Sequence, residues 1–172
     1  MSEPRPAIVA LLLDAFEACC AVADALPAPA RGPALGRVNS GGWIVAHLAA
    51  QIDAWWNVGA QQRPPDAWLA EHAAAFASGA APSAPRFADA RAALDRAIAN
   101  ARNYIDALDA DALAHPAPWR GSQTAGALVA RGCAHAFVHA GELAAIGALV
   151  GAPDAQLPGP LRHSSGHSSG EA

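Results

Sequence analysis

The chain has no lysine: all 11 of its basic residues are arginine, which excludes any Schiff-base or lysine-nucleophile mechanism. Aromatic residues are scarce at 6%, with Tyr104 the single tyrosine beside four Phe and five Trp. β-branched residues are sparse too, so an extended sheet lacks its usual material. Three cysteines, two of them adjacent (Cys19 and Cys20), make no disulfide framework and fit a reducing cytoplasm. A net charge of −4 argues against a sequence-independent grip on nucleic acid, which needs clustered cations over phosphates. No serine elbow, phosphate-binding loop or dinucleotide fingerprint is present.

Long apolar runs are also missing. The stretch from Ala7 to Leu13 is interrupted by Asp14 and Glu17, and Glu3 weakens any basic flank, so it does not read as a signal peptide. The stretch from Ala125 to Val150 is broken by Arg131, two histidines and Glu142. It reads as a core helix and not as a membrane span.

What is abundant is alanine, which supplies most of the 53% apolar content, forms helix strongly and lets helices approach closely. The expected fold is all-α, one domain over residues 1–160. Proline and glycine divide it into four long helices. The first runs from about Pro6 to Leu26, stopped by Pro27-Ala-Pro29 and Gly32-Pro33. The second starts at Asn39 or Ser40, both good N-caps, and runs to about Ala60. A short extra helix is expected over Asp66 to Ala77. The third long helix spans Phe87 to Leu108, with Leu94, Ile98 and Ile105 at helical steps. The fourth starts near Ser122 or Thr124 and ends at Gly151, with Pro153 as a stop signal. Together they predict a four-helix bundle with long connections. Residues 161–172, rich in Ser and Gly, are expected to form a flexible tail.

Helix four carries His135-Ala-Phe-Val-His139. A four-residue step places both imidazoles on one face, able to converge on one metal ion. Glu142 falls near the same face, and so does Arg131. A surface or hydrogen-bonded core role is the alternative for this pair. His163 and His167 repeat the spacing in the tail, where nothing pre-organises them. A third ligand must come from elsewhere, and His47 in the second helix is the best placed. His72 and His115 are weaker candidates.

The segment Asn39-Ser-Gly-Gly-Trp43-Ile-Val-Ala-His47-Leu-Ala, with His135-Ala-Phe-Val-His139-Ala-Gly-Glu142 after it, resembles the DinB-like superfamily. That resemblance covers nearly the whole domain. It implies a four-helix bundle in which His47, His135 and His139 hold a divalent metal, zinc or nickel. It also implies kinship with thiol transferases and a maleylpyruvate isomerase that use low-molecular-weight thiols such as bacillithiol or mycothiol. The chain departs from the isomerase branch, where an acidic residue stands at the position of His135. It also has Ala140-Gly-Glu142 where relatives often carry Arg-Gly-Gln, which makes Glu142 a candidate local base.

Three neutral imidazoles leave the charge of such an ion uncompensated, so a coordinated water or thiol would lose its proton near neutral pH. The expected activity is transfer of a thiol to an electrophile, or hydrolysis of a small substrate. Glu142 would handle protons or orient a ligating histidine. The alternative is a non-catalytic metal-binding stress-response dimer, favoured by a closed four-ligand site. Gln51, one turn after His47, is expected as polar lining or as a support to the ligands. Trp43 and Trp119 are candidate pocket walls, although core filling is the simpler role for each. An exposed Trp55-Trp56 pair would mark a dimer face. Cys133 lies about 200° around the helix from His135, and with Cys19 and Cys20 it reads as packing. The expected partner is a small molecule, with no nucleic acid and no membrane.

Overall fold

Alanine-rich stretches with an apolar residue at every third or fourth position fold as helices in the computed structural model, which describes residues 4–32, 38–81, 83–117, 119 and 121–152. The expected stop at Pro153 and the tail at 161–172, with His163 and His167, lie outside the described residues. Among the described residues there is no β-strand, only an isolated bridge between Pro116 and Thr124. No helix among them is long and apolar enough to cross a membrane.

Helix α1 (Ala7–Ala25) buries Val9, Leu12, Phe16, Cys19 and Val22 along one stripe. The prolines after it do more than stop the chain. Pro29 sits in the first turn of a one-turn helix, α2 (Ala28–Arg31), where a missing N–H costs nothing. Helix α3 (Gly41–Ile52) is capped by Ser40, whose Oγ accepts from Trp43 N at 3.0 Å and donates to Ser83 O at 3.0 Å. Gly41 and Gly42 have a steric reason at this entry. A Cβ on Gly42 would stand 2.7 Å from the Pro85 carbonyl oxygen, and one on Gly41 would stand 2.6 Å from that of Ala30.

The sequence reads as one α-helix to Ala60, but the α-form ends at Ile52 and Asp53–Ala60 continues as a π-helix. Side chains pin this wider turn to the next long helix. Asn57 Nδ2 donates to Ala97 O at 3.1 Å, and Gln61 Nε2 donates to Trp56 O and Asn100 O, both at 3.0 Å. Periodicity carries no signal for such bonds.

The short extra helix, α4 (Ala67–Glu71), is briefer than expected and gives way to turns over 72–76. Asp66 caps it, accepting from Trp68 N and Leu69 N. Helix α5 (Phe87–Asp106) buries Ala90, Leu94, Ala97, Ile98, Ala101 and Ile105. The connection after it contains a further short helix, α6 (Ala110–Ala114). Helix α7 (Ala125–Leu149) starts at Thr124, whose side chain accepts from Ala127 N, and ends before Gly151 at φ 80°. Helix α1 packs along α7, α3 packs along α5, and α3 also meets α7. That last contact is what brings distant histidines together.

Candidate metal centre

His47, in the second turn of α3, points inward and is buried, as its neighbours Ile44, Val45 and Leu48 are. Trp43, one turn earlier, stacks on it with ring centroids 4.9 Å apart and planes within 5°. From α7, His135 and His139 face the same point. His135 Nε2 lies 3.2 Å from His47 Nε2 and 3.1 Å from His139 Nε2. The three ligand atoms all fall within 4.8 Å of one another.

The far nitrogens decide the tautomers. His47 Nδ1 sits 2.7 Å from Phe76 O, and His139 Nδ1 sits 2.6 Å from Glu142 Oε2. A carbonyl and a carboxylate only accept, so each Nδ1 carries a proton and each Nε2 is the atom turned toward the centre. Burial holds the His47 pKa below its ordinary value, opposed by the Phe76 carbonyl. Burial, and then the neighbouring imidazoles and Arg131, push His135 down to about 4. At neutral pH these two rings are therefore uncharged and able to donate electron pairs.

The set fits a divalent ion. Nitrogens about 2.0–2.1 Å from a shared ion, at angles between octahedral and tetrahedral, lie roughly 2.9–3.4 Å apart. The 3.1 and 3.2 Å separations fall inside that range. The donors are three imidazoles, a set suited to zinc and to other late transition metals.

Beside His47 opens a cleft of about 430 Å³. One wall is α3 and the π-helix, through Ala50, Gln51, Ala54, Trp55 and Val58; the other is α4 and the turns after it, through Leu69 and Phe76. The walls are tied together along their length. Trp43 Nε1 donates to Ala75 O at 2.8 Å, His47 bonds Phe76 O, and Asp53 Oδ2 accepts from Asp66 N at 3.0 Å.

The structure thus brings together His47, His135 and His139 and puts Glu142 against the last of them. His72 is not in the cluster; its Nδ1 bonds Trp68 O at 2.9 Å and its ring stacks near Phe76. His115 is exposed and bonds Asp111 O. Arg131 is exposed, outside the centre. Trp119 does not cover the site: it packs near Tyr104 and faces Gly59 at a separate cavity. Trp56 is buried at 1% exposure, so Trp55-Trp56 is not the exposed pair a dimer face required. Cys133 faces Ile8, and burial raises its pKa to about 11 and that of Cys19 to about 12, which suits packing and not nucleophilic attack.

A family model described as the DinB superfamily matches residues 8–143, a span that contains all three histidines and Glu142. The chain belongs to the DinB superfamily. No curated protein and no solved structure matches it. Sequence reasoning missed two contributors to this DinB centre. The Phe76 carbonyl carries no side-chain signature, and the π-helix that aims Trp55 toward His135, centroids 6.2 Å apart, is invisible to spacing.

Proposed function

We propose that this DinB-superfamily chain is a metal-dependent enzyme that transfers a low-molecular-weight thiol to an electrophile or hydrolyses a small substrate. The observation that carries the reading is the convergence of three Nε2 atoms beside a cleft large enough for a small organic molecule. His47, His135 and His139 would hold the ion, zinc or nickel, in a four-helix bundle formed by the four long helices. When bound, the ion would acidify a coordinated water or thiol and leave positions for substrate.

The chain's own groups have separable tasks. Phe76 O and Glu142 Oε2 keep protons on the outer nitrogens of His47 and His139, so the inner nitrogens stay available. Of the two roles expected for Glu142, orientation of a ligating ring is the one its contact supports, because Oε2 meets Nδ1 and not the inner edge. The cleft walls on the approach to His47 are mostly apolar. The net charge of −4 favours a small-molecule partner over nucleic acid, and the free cysteines suit a cytoplasmic location. A non-catalytic metal staple would have no use for the cleft, so it is the weaker reading.

Metal analysis of the purified protein with His47→Ala, His135→Ala and His139→Ala tests the centre: each variant is expected to lose bound metal. Unchanged metal content in all three would refute it. Conjugation of bacillithiol or mycothiol to a model electrophile, with and without chelator, tests the catalysis. No turnover with any thiol or hydrolysable ester would count against an enzyme.

A further inference from the structure

Helix α7 keeps one face that the other described helices do not cover. With 3.6 residues per turn, Ala127, Arg131, Ala134, Val138, Glu142 and Ala145 lie on one side of it, and all six are exposed. Val138, in the middle of this face, is 60% exposed. Arg131 and Glu142 are the charged residues of the whole 25-residue helix. Helix α5, by contrast, carries Arg91, Asp95, Arg96 and Arg102, each in an ion pair, as a solvated helix does. Arg131 stands apart in a second way. Every other described arginine reaches a carboxylate or a backbone carbonyl, and Arg131 reaches neither among the described residues. Glu142 spends Oε2 on His139 Nδ1, and its side chain stays 44% exposed.

The order of these residues is that of a surface complementary to its own copy. A two-fold axis across two antiparallel helices makes every unlike contact twice. Ala134 against Val138 and Ala127 against Ala145 share a midpoint at residue 136, and Arg131 against Glu142 shares it to within half a residue. Arg131 and Glu142 are 11 residues apart, about three turns, so they edge the same flank of the helix. That two-fold keeps each flank on its own side, so the one cation of each α7 meets the one anion of the other. We propose that the chain dimerises through α7 packed antiparallel on α7 of a second copy, with Val138 near the centre and two Arg131–Glu142 ion pairs along one edge. Glu142 then bridges the copies: Oε2 holds its own His139, and Oε1 takes the guanidinium of Arg131 of the partner subunit. Each protomer thus contributes a residue to the surroundings of the other's metal centre. A contact built on one helix is small, so the dimer is reversible, with Kd on the order of micromolar.

Sedimentation velocity of the full chain across the micromolar range tests this, with circular dichroism to check that each variant keeps the parent's helix content. The parent is expected to sediment as a dimer. Arg131→Glu puts two like-charged contacts into the interface, and Glu142→Arg does so with the opposite sign; each should raise Kd by about 10- to 100-fold. Glu142→Gln carries the same loss at His139 without the repulsion, and its Kd should rise by less. Val138→Asp should also dissociate the dimer. The decisive sample is an equimolar mixture of Arg131→Glu and Glu142→Arg, in which both pairs become attractive again. Dimer should return in the mixture at concentrations where each variant alone is monomeric. A parent that stays monomeric, a dimer indifferent to Val138→Asp and Arg131→Glu, or a mixture that remains monomeric would overturn the proposal. Metal content is measured on the same samples: a dimer without metal supports the interface and counts against the centre, and metal without a dimer does the reverse.

Discussion

Glu142 reaches His139 from the side away from the centre, and a carboxylate at Nδ1 makes the ring a better donor at Nε2. Glu142→Gln keeps the hydrogen-bonding shape and loses the charge. It should lower metal affinity by about 10- to 100-fold without abolishing binding, as read by competition against a chromophoric chelator. His135→Ala removes a ligand and should cost more in the same assay. At this scale the sequence was legible wherever chemistry sits in side chains at helical spacing. His135, His139 and Glu142 share a face because they are four and three residues apart, and His47 stood out as an imidazole amid Trp43, Ile44 and Leu48. The Phe76 carbonyl was illegible because every residue has one, and only the turns over 72–76 aim it.

Among the elements, the helices announced themselves through alanine content, caps and stop signals, and the π-helix did not. Its cause is a set of contacts to α5, from Asn57 to Ala97 O and from Gln61 to Asn100 O, that span about 40 residues of chain and leave no periodic trace. Caps offer a direct check. Ser40 is buried and serves two partners, so Ser40→Ala should destabilise the fold by about 1–2 kcal/mol in urea melts. Asp66 offers a pH-dependent one. A bidentate hydrogen bond from Arg96, above all, holds its pKa below the usual carboxylate range. A depressed folded-state pKa contributes stability above the unfolded value of about 3.9, and that contribution fades as pH falls through the folded value. Asp66→Asn should therefore lower Tm at pH 7, and its gap from the parent should close in stronger acid.

Across the molecule, the three histidines come from α3 and α7, helices separated by 88 residues between His47 and His135. An ion bound there joins the two halves of the chain and is absent from the unfolded state. With metal at 100 times Kd, folding should gain about 2.7 kcal/mol, so Tm should fall on chelation and recover on readdition. The helical class of the whole was legible from composition. The side-by-side placement of α3 and α7 was not, because it depends on how four stripes of small residues divide the interior among themselves. The long-range hints in the sequence were the need for a third ligand and the resemblance to the DinB-like superfamily, which implied that His47 shares an ion with His135 and His139.

Phe76 does two jobs at once: its ring forms part of the cleft wall while its carbonyl grips the outer nitrogen of His47. The residue that shapes the cleft is thus the residue whose backbone fixes the outer nitrogen of His47. A substitution that shifts this one turn should therefore disturb the cleft wall and the imidazole's outer hydrogen bond together.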